Sequence, residues 1–513
     1  MHLEEASSGK FDRAAPHCVI FVLPYGERVA LHPSLWYNSK LREIGARGSG
    51  FFMVSRVHTL DMCNGPLFQK LLTFALPIFA MNILQLLFNA IDMVVAGRFV
   101  GSIALAAVGA TGSLISLIVN FFMGLSVGTS VIVAQDYGAN QPEGVRRSVH
   151  TSIFVSLISG LFVMGIGLIF CEPLLVMMGT PEDIVGLSTL YMKIYFLGVP
   201  AGMIYNFGAS ILRAVGDSRH PMYYLVISGA VNVVLNLFFV IVVRLGVGGL
   251  AWATILSQYL AVILILIYLI KSDGPIRFEI RRMRMDGEKL KQIVRIGLPA
   301  GLQSMLFSIS NVLIQSALNS FGSVMVAASS AAGNIEGFVG TTMNALYNAA
   351  ITFTGQNMGA KKYDRIDTVA KITTELIIAT WVVMGGLTML FARPLLSIYT
   401  TDPEVIKLGM LRINVMMIAY FTCGVMNVFP GITRGMGFSV LPMLCTLIGA
   451  CLMRIVWLWT FFAWHPTMIM LFACYPVTWA LAGIGQVVVF FYARRKVRAD
   501  AARKTEGPVA SPG

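Results

Sequence analysis

The sequence predicts an all-α membrane protein: twelve transmembrane helices in two six-helix bundles, related by a pseudo-twofold axis along the membrane normal. Three observations carry this. Apolar residues make up 56% of the 513 positions and charged residues 12%, against roughly 45–50% and about 25% in soluble domains. Apolar runs long enough to cross a bilayer as helices recur from Leu71 to Phe491. The chain also matches itself at an offset of roughly 221 residues, the signature of a duplicated unit.

Taken in order, the apolar periods predict a first group of spans at roughly 70–96, 103–136, 148–171, 184–213, 220–243 and 247–270. A second group follows at roughly 293–319, 324–357, 370–392, 404–434, 441–463 and 467–493. Basic residues separate the two sides. Arg146 and Arg147, Arg277 to Lys291, Lys361 to Arg365, and Arg494 to Arg498 all fall in loops on one side, whereas Cys171 to Asp183 on the other is acidic. By the positive-inside rule both termini are expected in the cytoplasm of a plasma-membrane protein. The net charge of +13 is therefore topology information, not a nucleic-acid footprint, because no basic stripe interleaves with aromatics on a soluble face.

The expected domains are a leader over 1–61, lobes over 62–275 and 276–498, and a cytoplasmic tail over 499–513. The leader has mixed polarity and a short apolar patch at Cys18 to Tyr25, and is expected to be disordered or an upstream extension of the reading frame. The seven cysteines are scattered, without metal-ligand spacing, and read as small apolar helix residues. No cofactor is expected.

The repeat is clearest where Arg213, Gly216, Ser218, Pro221 and Met222 recur as Arg434, Gly437, Ser439, Pro442 and Met443. Gln135, Gly138 and Ala139 recur as Gln356, Gly359 and Ala360. Six spans per repeat is an even number, so both halves enter the bilayer in the same sense. A central cavity between two such halves suits alternating access. A membrane-embedded transferase or hydrolase would need clustered catalytic groups, and the loops carry only scattered ones. The turn from Arg213 to Pro221 reads as structural, since Gly and Asp favour the bend and Pro221 starts the next helix.

Charged side chains inside the membrane cost at least about 2.5–3.5 kcal/mol at a helix centre, so each requires a reason. Asp92 lies in the outer part of the first span. It serves either as a proton carrier or as the charged oxygen of a Na⁺ site; the structural alternative is a carboxylate at the interface or beside Arg98. Asn232 and Asn236 are four apart, hence on one helix face, and Thr254 falls at a matching depth. Together the four could hold Na⁺; singly, each could equally tie helices together. In the second half, Glu336 and Arg454 either pair with each other or face a substrate cavity. Lys193, Glu375 and Arg412 lie nearer span ends, where long side chains reach the interface. Pro77, Pro200, Pro299 and Pro430 are candidate kinks.

Leu76-Pro77, Asp92 to Gly97, Ala134-Gln135 to Gly138-Ala139, Arg213 to Met222, Asn232 to Asn236, Gly246 to Thr254, Gly355-Gln356 to Gly359-Ala360 and Tyr475 to Trp479 stand in an order that resembles the multidrug and toxic compound extrusion (MATE) transporters. The resemblance covers residues 62–498. It implies two six-helix lobes and export of cationic or amphipathic organic molecules in exchange for Na⁺ or H⁺; a monomer in the bilayer is expected. It places the family's ion-site aspartate on Asp92, its asparagine on Asn232 and its threonine on Thr254. Where many members have a second aspartate this chain has Asn236, and Gly301 to Ser310 lacks the acid some members carry; coupling through Asp92, by protons, is the expectation. The rival within transport is a lipid-linked precursor flippase, which would favour a cationic cavity.

Overall fold

The computed structural model describes residues 19–22, 28–31, 59–178 and 180–505. The expected leader falls outside these except for a small hairpin and residues 59–61. In that hairpin β1 (Val19–Val22) pairs antiparallel with β2 (Arg28–Leu31); it belongs to a separate compact unit spanning 1–55. The described residues of the second unit, 56–513, are mostly helical.

The first lobe holds α1 (Leu67–Val95), α2 (Ser102–Gly138), α3 (Pro142–Met177), α4 (Glu182–Ala214), α5 (Arg219–Leu237) and α6 (Gly246–Lys271). The second opens with α7 (Gly287–Asn319), α8 (Ser323–Gly359) and α9 (Tyr363–Thr380). Short helices α10 (Gly386–Leu390) and α11 (Ala392–Ser397) follow, then α12 (Pro403–Ile418), α13 (Tyr420–Gly435), α14 (Val440–Thr446), α15 (Met453–Trp457) and α16 (Met468–Thr505). Among the described residues ten helices, some extended by π-helical turns, are long and apolar enough to span a membrane, and α12 with α13, bent by 53° at their break, makes an eleventh if the pair counts as one span. The twelfth expected span is α8, 37 residues long. Its serines, threonines and asparagines lower its hydropathy, because much of this helix faces protein and cavity in place of lipid. The last helix runs past Arg498, where a tail was expected to start, to Thr505.

The duplication extends to backbone conformation. Helices α2 and α8 are both 37 residues long and start 221 positions apart. Left-handed residues recur at the same offset: Gly101 with Gly322, Asn140 with Lys361, and Gly216 with Gly437. Helices α1, α4, α7 and α13 continue through Pro77, Pro200, Pro299 and Pro430 as single elements. A break bent by 53° lies at Ala419, between α12 and α13.

The lobes meet at the end of the bundle that carries the basic loops. A Cβ added to Gly124 would lie 2.1 Å from the Gly301 backbone nitrogen, and one on Gly128 2.2 Å from the Ile293 carbonyl oxygen. Small residues thus let α2 and α7 press backbone to backbone, the packing membrane helices use in place of hydrophobic drive. Farther along, Gly138 lies against Gln356 and Gly359 against Gln135, each with 1.9 Å between the hypothetical Cβ and the facing carbonyl oxygen. Across this seam Gln135 Nε2 donates to the Gly435 carbonyl at 2.8 Å, and Gln356 Nε2 to the Ala214 carbonyl at 2.7 Å. All four positions obey the 221-residue offset, so the two bonds are one interaction made twice. Each amide satisfies a carbonyl at a helix C-terminus, where such groups lack intrahelical partners. A buried ion pair adds to the seal: Lys289 Nζ lies 2.7 Å from Asp136 Oδ2, which also accepts from Ser148 Oγ at 2.7 Å.

Candidate functional site

Two features stand inside the bundle. The first is the polar cluster around Asp92. Asn236 donates its amide to Asp92 Oδ1 at 2.5 Å and to Asn232 Oδ1 at 3.2 Å. Asn232 and Asn236 are buried, at 5% and 0% exposure, and Asp92 is half-buried. The four-residue spacing does what a helix dictates, stacking the two asparagines along one face. Each arm of the cluster runs directly into a π-helical turn, Ala96–Val100 after α1 and Phe238–Val242 after α5. Such turns re-aim neighbouring side chains and are frequent at functional sites. The Asn236 Oδ1 oxygen is buried without a partner. Thr254 does not join the cluster through its hydroxyl, which donates to the Leu250 carbonyl one turn back at 3.0 Å. That back-bonding gives a threonine in a helix its partner locally, and spacing alone could not choose between the two.

Among the described residues no cluster of three or more His, Cys, Asp or Glu side chains could hold a metal ion.

The second feature is a cavity of about 890 Å³ between the lobes. Its wall comes from both halves: Asn82, Asn89 and Asn206 from one, Gln303, Asn344 and Asn427 from the other. Ten Asn and Gln side chains line it in all, with Tyr195, Tyr347 and Tyr420, several methionines and two arginines, Arg213 and Arg434. No Asp, Glu or Lys is among the described lining residues. Helix α1 crosses to α8 here, where Asn82 Nδ2 donates to the Thr341 carbonyl at 3.2 Å.

Glu336 and Arg454, the two residues expected to pair or to face a cavity, do neither. Glu336 is held by Arg412, with Nε to Oε1 and Nη2 to Oε2 both at 3.0 Å; Arg412 also bonds Ser329. Arg454 is fully buried, bonds Asn311 Oδ1 at 2.6 Å and lies 4.8 Å from the ring centres of Phe307 and Tyr475. Neither residue lines the cavity. The correction has a geometric reason: Arg412 on α12 reaches Glu336 and Ser329 on α8, so its guanidinium is held inside the bundle and not at the interface.

From the sequence Arg213 belongs to a structural turn, and Gln135, Gly138, Gln356 and Gly359 are repeat matches with no role attached. The usable signal was there: polar residues repeated at one offset inside apolar runs mark positions both halves need.

The MatE family profile matches twice, over residues 77–238 and 299–460. The chain belongs to this family. It is a MATE family transporter and not an enzyme. Among curated relatives it is 30% identical to the probable multidrug resistance protein YpnP of Bacillus subtilis, over 79% of this chain and 90% of that protein. It is 26% identical to an FAD transporter of Shewanella oneidensis, over 72% of this chain and 82% of the relative. Among solved structures, a MOP superfamily transporter from Pyrococcus furiosus superposes with a TM-score of 0.79 at 22% identity, covering 87% of this chain and 99% of that one.

Proposed function

We propose that this MATE transporter exports small amphipathic organic compounds across the plasma membrane by alternating access, as a monomer with both termini in the cytoplasm. The observation that carries the reading is the pairing of a central cavity with a seam closed at the basic-loop end. Gln135 and Gln356 lock the lobes at the basic-loop end, which the positive-inside rule assigns to the cytoplasm. The chain is thus held closed to the cytoplasm, and a rocking of one lobe against the other would expose the same wall to the inside.

Coupling is assigned to Asp92, the one carboxylate in its polar cluster. Protonation would remove its charge and weaken its bond to Asn236, changing how α1 meets α5. Protons are the preferred ion, since a single carboxylate with Asn232, Asn236 and Thr254 offers Na⁺ one charge only. The unpartnered Asn236 oxygen is the feature that favours Na⁺ as the second choice. A cationic cargo finds no carboxylate on the described wall. Amides and aromatic rings suit amphipathic compounds, and one relative's name, an FAD transporter, adds an anionic dinucleotide to the range.

The test is reconstitution into liposomes with imposed H⁺ or Na⁺ gradients and cationic and anionic fluorescent dyes. Asp92→Asn should fold normally and lose gradient-driven efflux. Efflux still driven by the gradient in that variant would place coupling elsewhere.

A further inference from the structure

We propose that Arg213 and Arg434 are an anion-binding pair in the central cavity, so that the cargo is an organic molecule carrying a phosphate or carboxylate group. The inference rests on the reading of this cavity as the cargo site and names the class of cargo it takes.

Arg213 and Arg434 are the charged residues of the described wall. Arg434 is only 4% exposed. Its guanidinium donates to the Tyr347 hydroxyl at 2.5 Å and to Gln303 Oε1 at 2.8 Å, both neutral, and its Nε is buried without a partner. Arg213 donates to Ser210 Oγ at 3.0 Å. A cation withdrawn from water without a counter-charge is costly. Elsewhere in the bundle that cost is offset by carboxylates: Arg412 has Glu336 and Lys289 has Asp136. Arg454, the other buried arginine without an acid, stacks between aromatic rings away from the cavity. Arg454 shares neutral partners with the cavity arginines, and Arg434 also lies 5.9 Å from the Tyr347 ring centre; what sets the cavity pair apart is the open volume beside them.

Their placement is ordered. Both stand in the last turn of their helices, α4 and α13, at the 221-residue offset. The helix dipole favours a cation there, which accounts for a basic residue at a helix end but not for its burial in a cavity whose described wall has no acid. One guanidinium from each lobe lines the same volume, which fits a ligand whose anionic groups are held from both halves. The planar fork of N–H donors matches carboxylate and phosphate oxygens. The amide wall then offers donors and acceptors to the remaining polar groups of the ligand.

The experiment is equilibrium binding to purified protein without any ion gradient, so that a failure of ion coupling leaves its outcome untouched. ADP serves as the soluble phosphate-bearing probe, farnesyl diphosphate in neutral nanodiscs as the lipid-borne one, and ethidium as the organic cation. ADP or farnesyl diphosphate should bind, more weakly as salt rises. Arg213→Gln and Arg434→Gln should each weaken binding by about tenfold or more, while ethidium binding stays the same or tightens. Binding of the lipid alone identifies a membrane-borne cargo; binding of ADP identifies a soluble one. Should Arg434→Gln fail to fold, Arg213→Gln, a change at a half-buried residue with one side-chain bond, and Arg434→Lys, which keeps the charge and loses the fork, decide the matter. Absence of binding by both anions, affinities unchanged by the substitutions, or loss of ethidium binding in the same variants would each overturn the proposal.

Discussion

Adding one methyl group at Gly138 or Gly359 should unlock the seam. In this conformation the new Cβ would stand 1.9 Å from a carbonyl oxygen of the facing helix, Gln356 for one and Gln135 for the other. Ordinary carbon-to-oxygen contact begins at about 3.3 Å, so α2 and α8 would have to separate by roughly 1.4 Å at the crossing. The paired bonds to Gly435 and Ala214, now 2.8 and 2.7 Å, would then exceed hydrogen-bonding distance. Loss of two neutral bonds, with their buried carbonyls left unpaired, costs on the order of 3 kcal/mol. That corresponds to about a hundredfold shift away from the sealed conformer. Spin labels at Glu182→Cys and Glu404→Cys, exposed positions at the opposite end of the two lobes, with the native cysteines replaced, would report it by pulsed electron resonance. The shorter-distance population should grow in Gly138→Ala and in Gly359→Ala. Gly165→Ala, whose Cβ meets nothing within 4 Å, should match the parent. Unchanged distances in both seam variants would refute the assignment of the glycines to closure.

Three other outcomes follow from named contacts. Asn236→Asp places a second carboxylate beside Asp92 and should raise the Na⁺ dependence of transport; an unaltered ion preference would count against that cluster as the ion site. Lys289→Met leaves Asp136 charged and buried with Ser148 as its remaining side-chain partner, and should cost about 3–5 kcal/mol in thermal unfolding; adding Asp136→Leu should recover most of the loss. Asp286→Ala removes the N-cap of α7, where Oδ1 accepts from the Lys289 backbone at 3.0 Å, and should cost about 1 kcal/mol. That same backbone bond, followed by the Arg147 side chain, holds the Asp286 carboxyl below its ordinary 3.8. Its contribution is therefore present above 3.8 and lost as pH falls through the lower folded value, so the parent and Asp286→Ala should converge in stability under strong acid.

The membrane class, the order of the spans and the duplication were legible in the sequence because each is local or periodic. A 20-residue apolar run spans a bilayer whatever lies beside it. A four-residue spacing puts Asn232 and Asn236 on one face in any helix, and a constant offset survives folding because both halves obey the same rules. What only tertiary structure decided is which faces meet. Glu336 was expected opposite Arg454 or a cavity, and the packing of α12 on α8 gave it to Arg412. The hydroxyl of Thr254 chose its own backbone over Asp92. The cavity wall, rich in amides and without described acids, draws on helices hundreds of residues apart, and no window along the chain contains it. The glycines of the seam read simply as small residues until the facing carbonyl oxygens were in place. Each of these depends on rotations of whole helices fixed by the packing of all the others, which hydrophobic periodicity leaves free wherever lipid, protein and cavity present similarly apolar surfaces.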